Sequence, residues 1–488
     1  MLRTGKGAKG EGYQAEDAFF ANGAVATGGS DGDAAAGVDL AAERSRLVVP
    51  VNATKAGTQK VTIRYANTGA DAEVVLGVDG AALGRVALPA TQGWSEVSVE
   101  ADLRAGLGSV ELRTPGTALD GALTVDSVTL QKGAPMAERG ATLPYTEYEA
   151  EHGITNGEIL EPSREFRTIA AEASGRQAVV LDERGDHVEW TLTAPASSVV
   201  LRASIPDTAD GKGQSATLGL YQGKKKLTDI EVSSEHAWVY GGYPYGNDPS
   251  TGGAQRFFDD SRATFPKLPA GATLRLEKDA ASSDVAFTVD LIDAEVVPGA
   301  YDEPAGFVDV RDHGATPDDG SDDTAAVQAA VDAAKDAGTG VWIPAGTFDV
   351  SDRIRVNDVT VRGAGPWHTT VQGTAGKGGF YALGTGVTIA DLAVDGGSTY
   401  RDDAKFDAAF EGNFGAGSLL QNVWASHAKV GLWADAGTDG LYALGLRVRD
   451  VYADGVHLHG AVTDTHVEHT SVRNTGDDAM AMWSAGAR

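Results

Sequence analysis

From Val341 to the end of the chain, short apolar runs return repeatedly, each broken by a turn rich in Gly or Asp. Val359-Thr360-Val361, Val387-Thr388-Ile389, Leu392-Ala393-Val394, Leu420-Gln421-Asn422-Val423, Leu446-Arg447-Val448 and Thr465-His466-Val467 are such runs. Arg362-Gly363-Ala364-Gly365, Asp395-Gly396-Gly397 and Thr438-Asp439-Gly440 separate them. The steps from Leu420 to Leu446 and from Leu446 to Thr465 give a period in the low twenties. Short strands at that period stack coil upon coil as a right-handed parallel β-helix, like positions lying ~4.8 Å apart. About six coils of roughly 22–25 residues fit in this stretch.

A solenoid must cover its open ends, where backbone and apolar side chains are unpaired. The clearest helix in the chain, Ala325 to Lys335, begins after Asp322-Asp323 and ends before Gly338, so it is expected to cap the first coil, with the two acids at its N-cap. Nothing comparable follows the last coil, and a C-terminally truncated fragment is expected.

Residues 11–131 read differently. Leu47-Val48-Val49, Lys60 to Tyr65, Glu73 to Val78, Ser95 to Val99 and Ser109 to Leu112 alternate or run apolar between Asn67-Thr68-Gly69, Asp79-Gly80 and Ala105-Gly106 turns. Strands at this spacing predict a β-sandwich. Residues 132–145 are patternless and read as a linker. Residues 146–300 repeat the theme: Tyr148-Glu149-Ala150-Glu151 echoes Tyr13-Gln14-Ala15-Glu16, and Thr288-Val289-Asp290 echoes Thr124-Val125-Asp126. This predicts a duplicated sandwich. The expectation is an all-β chain, two sandwiches followed by a partial β-helix over 301–488.

Charge narrows the partners. With 40 Lys and Arg against 69 Asp and Glu, the net charge of −29 would repel a phosphate backbone, so nucleic acid is excluded as a partner. It also disfavours polyuronates unless one cleft is basic. Gly is abundant, at 63 of 488 residues, as many turns require. There is no Cys, hence no disulfide, zinc-thiolate site or thiol nucleophile. No apolar stretch is long enough to cross a membrane. The opening stretch from Met1 to Asp17 lacks the apolar core of a signal peptide. An exported protein with its signal outside this chain is preferred over a cytosolic one, and a monomer is expected.

Chemistry-bearing residues crowd into 450–483. Asp477 follows Asp454 by about one coil, so stacking should set them side by side with Asp478 adjacent. Glycosidic hydrolysis needs one carboxylic acid to protonate the leaving oxygen and one carboxylate to activate water or attack the sugar. Close carboxylates repel one another, which favours keeping a proton on one of them. Spacing alone leaves a second reading open, that these are turn residues or calcium ligands. His457 and His459 alternate on one strand face and could bind sugar hydroxyls or hold a carboxylate. The loop around Tyr240, Tyr243 and Tyr245 offers aromatic faces to sugar rings, or packs between domains. Trp94 reads as a core or turn residue. Glu16 and Asp126, at the two ends of the first sandwich, could share Ca²⁺. Gly363-Ala364-Gly365 lacks the strand–helix context of a dinucleotide loop, and no organic cofactor is expected.

These residues resemble known families. The Tyr13-to-Ala18 opening, Ile63-to-Asn67, Gly93-Trp94 and the Val125-to-Val128 closing are similar to carbohydrate-binding modules of families 6 and 35. That resemblance implies a structural Ca²⁺ held by Glu16 and Asp126. Residues 307–350 resemble the N-terminal cap of pectate-lyase-like β-helices. From residue 146 onward, the sandwich-then-helix order, the Tyr240–Tyr245 loop followed by Arg256-Phe257-Phe258-Asp259-Asp260, and the ADGVHLHG and NTGDD blocks resemble glycoside hydrolase family 87, the α-1,3-glucanases and mycodextranases. The resemblance implies inverting hydrolysis of an α-glucan by Asp454, Asp477 and Asp478. Two other readings stay open: a non-catalytic polysaccharide-binding or cell-wall adhesion protein, and a polygalacturonase or lyase acting on uronates. The Arg-Ile-Lys motif of polygalacturonases is absent from the chain.

Overall fold

The computed structural model describes residues 2, 4–5, 9–27, 36–137, 140–165, 168–237, 258–282, 284–374, 376–403 and 407–484. Tyr240, Tyr243 and Tyr245 lie outside them. The first sandwich faces a sheet built on Gly57–Asn67, Ser95–Leu103 and Leu123–Leu130 against one built on Arg46–Ala53, Gly106–Arg113 and Ala72–Val78. Alternation drives the packing: Val61, Ile63 and Tyr65 point inward from one sheet and Leu47, Val49 and Val51 from the other. The Asp79-Gly80 hairpin works because both residues take positive φ, 49° and 77°, as a tight two-residue loop demands.

The second sandwich repeats this plan. Ala15 donates its backbone N–H to the Asp126 carbonyl, and Ala150 donates to that of Asp290, both at 2.8 Å. The short opening strands Glu11–Gln14 and Thr146–Glu149 each pair antiparallel with the closing strands Leu123–Leu130 and Phe287–Glu295.

From Val308 onward every ladder between named strands is parallel, in two sheets of eleven and six strands. The helix Thr324–Ala337 covers the first coil with Val327, Ala330, Val331 and Ala334 buried, and stops at Gly338 in the left-handed region. Capping differs from expectation. Asp323 stands at the N-cap without a side-chain cap bond and accepts from the Thr316 N–H instead. Its neighbour Asp322 accepts from the Thr324 N–H at 3.0 Å.

Coil length falls within the expected range, but the residues taken to mark it do not stack. Leu420 pairs with Ala443, and Val456 with Met480, so a coil is shorter than the Leu420-to-Leu446 step and Leu446 does not stand over Leu420. The corners explain how so tight a coil turns. His427, Asp450 and Asn474 occupy one corner in successive coils, all with positive φ. Asn474 donates its side-chain amide to the Asp450 carboxylate directly below. Polar residues tolerate this conformation because their short side chains bond locally.

Both sandwiches lie against the solenoid wall. Phe19 stacks on Tyr442 with ring centroids 5.0 Å apart, beside Val48, Leu419 and Leu444. Around that apolar patch Arg104 pairs with the Asp391 carboxylate, which is wholly buried, and Gln421 donates to Asp79 at 2.7 Å. From the second sandwich, Asp293 and Asp260 pair with Arg473 at 2.9 and 3.3 Å, and Glu295 pairs with Arg447 at 2.9 Å. The connecting segment is also fastened: Thr142 N–H donates to His469 Nδ1 at 3.0 Å, and Tyr145 shares a 2.8 Å hydrogen bond with Ser471.

Candidate active site

Asp454 sits in the turn between Arg447–Val451 and Val456–His459, and Asp477 and Asp478 occupy the same turn one coil later. Val456 pairs with Met480, Gly455 N–H donates to the Asp478 carbonyl at 2.9 Å, and Asp477 N–H donates to the Ala453 carbonyl at 3.1 Å. Asp478 therefore stacks directly on Asp454, while Asp477 stands over Ala453. The expected Asp454–Asp477 superposition is off by one position because the local coil is one position longer than the spacing of those two acids. The three still converge, with one oxygen from each carboxylate within 4.8 Å of the others.

Each acid has its own surroundings. Asp454 is buried, and both its oxygens are engaged: Oδ1 accepts the Asp478 backbone N–H at 3.1 Å and Oδ2 accepts from His457 Nδ1 at 2.6 Å. Asp477 is half-exposed, and its Oδ2 accepts from Arg401 at 3.0 Å; Arg401 is itself oriented by Asp403 at 2.8 Å. The Asp478 carboxyl is exposed and receives no N–H or cation among the described residues. Clustered oxygens of this kind could also hold a cation.

The two histidines share one strand face, as alternation requires, with ring centroids 5.8 Å apart. They do different things. His457 holds Asp454, whereas His459 Nδ1 faces Asp435 at 3.3 Å. Trp433, one coil earlier, pairs in register with His457 and lies flat against its ring, centroids 4.1 Å apart at 11°. Its indole N–H donates to Asp435 at 2.9 Å, and the exposed Trp483 flanks both histidines. Trp433, Asp435, Arg401 and Trp483 escape sequence reading, because only the fold brings Arg401 to Asp477 and sets the other three around the two histidines.

A second titratable cluster lies deeper, between the second sandwich and the solenoid. His427 Nδ1 meets Asp395 at 2.8 Å and Nε2 meets Asp259 at 2.9 Å, while the ring stacks on His236. Asp450 beside it accepts from Asn474 and from the Asp260 backbone N–H. These groups satisfy one another and form a junction between the two bodies.

The two calcium ligands expected in the first sandwich differ in their surroundings. Glu16 fits: among the described residues its buried Oε2 has no partner, and neither does that of Glu151 in the second sandwich. Asp126 does not, since it pairs with Arg64 at 2.5 Å and accepts from Ser127 at 2.7 Å.

A parallel solenoid carrying acids on neighbouring coils above an aromatic face belongs to the class of carbohydrate-active β-helix proteins. The α-1,3-glucanase catalytic domain D1 model matches residues 142–297, and the D2 model matches residues 320–487. The chain belongs to this family, glycoside hydrolase family 87. It is 36% identical to the catalytic unit of a thermostable family 87 α-1,3-glucanase from Streptomyces thermodiastaticus, with 71% of this chain and 61% of that one covered and a TM-score of 0.64. It is 30% identical to the Agl-KA catalytic domain, covering 72% and 65%, with a TM-score of 0.67. A family 87 α-1,3-glucanase solved with nigerose is 27% identical over 71% and 62%, with a TM-score of 0.63. The chain thus spans less than two thirds of these structures. Among curated proteins, mannuronan C5-epimerase AlgE3 of Azotobacter vinelandii is 32% identical over 180 residues, 32% of this chain and 10% of that one.

Proposed function

We propose that this chain is an endo-acting α-1,3-glucan hydrolase working by inversion. The convergence of three carboxylates on adjoining coils carries the reading. Asp454 accepts two N–H groups and suits the role of base, helped by Asp477, in orienting and deprotonating water. Asp478, with no cation or N–H on its carboxyl among the described residues, suits the acid that protonates the leaving oxygen. Trp433 and Trp483 would support the sugar rings on an open face, which suits attack within a chain. Tyr240, Tyr243 and Tyr245 are proposed as further sugar contacts. A polymeric substrate supports action outside the cell, and a monomer is proposed.

Stereochemistry is the sharpest question. Inverting acid and base usually stand ~6.5–9.5 Å apart, and retaining pairs ~5–5.5 Å. The nearest oxygens here, within 4.8 Å, are closer than either. That figure is between nearest atoms, and exposed Asp477 and Asp478 have room to rotate, so water fits between acid and base once they turn apart. NMR of the first product decides: the β-anomer from α-1,3-glucan supports inversion, and the α-anomer rejects it. Release from an alternating α-1,3/α-1,4 glucan alone would mark a mycodextranase. Binding to insoluble α-glucan without new reducing ends would favour the adhesion reading. Uronates are disfavoured by the three clustered carboxylates of Asp454, Asp477 and Asp478, where Arg401 is already paired.

A further inference from the structure

Of the two roles left open for His457, sugar contact or holding a carboxylate, its bonding supports the second. It is 5% exposed, its Nδ1 bonds Asp454 Oδ2 at 2.6 Å, and its Nε2 is buried without a partner among the described residues. The proton therefore belongs on Nδ1. An N–H at Nε2 would leave a buried donor unsatisfied, at a cost of about 1–3 kcal/mol, whereas a bare nitrogen there costs less. Trp433 stacks flat on one face of the ring, and Trp483 meets it nearly edge-on with centroids 5.9 Å apart. Trp433 is in turn tied to Asp435 through its indole N–H. The imidazole thus stands between packed aromatic neighbours, and its one donated proton goes to the deepest of the three acids.

We infer that His457 is a positioning residue for Asp454: with the Asp478 backbone N–H on the other oxygen, it fixes the plane of that carboxylate beneath the two exposed acids. The Asp435–Trp433–His457–Asp454 chain further links the aromatic face to the acid, so a ring seated on Trp433 bears on the group that holds the base. This rests on the hydrolase reading above, and it separates two functions that one strand face might be thought to share. His459, on Asp435, belongs to the aromatic surface, and His457 belongs to the acid.

Two substitutions separate the ring nitrogens. In His457→Asn the side-chain amide reaches roughly the place of Nδ1, and in His457→Gln that of Nε2. The expected result on α-1,3-glucan is that His457→Asn keeps kcat within ~10-fold of the unaltered chain, while His457→Gln loses ~100-fold, as a misplaced catalytic group does. KM should change little in either. Equal losses in both variants, or a loss confined to KM, would overturn the inference. Nitrogen-15 NMR of histidine-labelled chain gives a readout independent of turnover, since His457 is one of only 10 histidines. Nδ1 should carry the proton, and its signal should move in Asp454→Ala. A proton found on Nε2 alone overturns the assignment. A chain that shows this signature but releases no sugar would count against the hydrolase reading and leave the His457–Asp454 pairing standing.

Discussion

Asp478 stands one coil above Asp454, and its backbone N–H bonds the lower carboxylate at 3.1 Å. Holding the base thus requires the backbone at 478, while the proposed acid chemistry requires the side chain. Asp478→Asn and Asp478→Ala should therefore both fold with an unchanged melting temperature and lose activity by ~10³-fold or more. Asp454→Asn and Asp477→Asn should lose comparably. Reducing-sugar assays on α-1,3-glucan check this, and full activity in all three Asn variants would reject the site.

Trp433 lies flat on His457, the residue that holds Asp454. Trp433→Ala should raise KM for oligosaccharides about tenfold, and Trp433→Phe should recover most of it, because an aromatic contact is worth ~0.5–1.5 kcal/mol beyond its buried area. Steady-state kinetics on a nigero-oligosaccharide series would show an unchanged KM if no sugar sits there.

The junction around His427 makes stability depend on pH. Burial alone would pull the His427 imidazole down, but Asp395 and Asp259 outweigh it and raise it well above its ordinary value. Burial, then Asp260 and Asp259, push the Asp450 carboxyl well up. Both groups hold protons in the folded chain that the unfolded chain releases, so stability falls as pH rises. His427's share is complete below ~6.5 and is lost as pH climbs through its raised folded value. For Asp395, burial raises and His427 more than offsets it, leaving the carboxyl well below the usual range, so its share is lost only in strong acid. Thermal unfolding from pH 5 to 10 should show the unaltered chain losing its advantage over His427→Gln as pH increases. Parallel curves would refute this.

Arg104 and Arg362 both pair with the wholly buried Asp391, and Arg104 also lies over the Tyr301 ring at 3.6 Å. Arg104→Met removes one charge and leaves the carboxylate under-compensated. A loss of ~3–5 kcal/mol is expected in urea unfolding. Replacing Asp391 as well, in Arg104→Met/Asp391→Asn, should cost less than the two single effects together.

Glu16 Oε2 is buried and has no partner among the described residues, which makes calcium testable. Millimolar Ca²⁺ should raise the melting temperature by a few degrees, an effect lost in Glu16→Gln. No shift in the unaltered chain would remove calcium from the first sandwich.

Much of this architecture is legible in the residues. Alternation in Lys60 to Tyr65, the Asp79-Gly80 turn and the helix before Gly338 are local signals, and local physics reads them. The acidic cluster is legible to within one position, because coil length varies by one position from coil to coil and a single average period does not fix the register at Asp454. What stacking brings together from afar is not legible in this way. Trp433 becomes a neighbour of His457 only once the coil length is fixed. The arginines at the domain seams look like ordinary surface cations until Asp391, Asp293 and Glu295 face them.

Those seams bear on how such chains could be rebuilt. Arg104, Arg447 and Arg473 each find their counter-charge on a different body from their own, and Phe19 finds its stacking partner there too. Transplanting the front module onto an unrelated solenoid would strand salt-bridge halves on both sides of the graft. These pieces have to be inherited as a set, unlike beads threaded on a string.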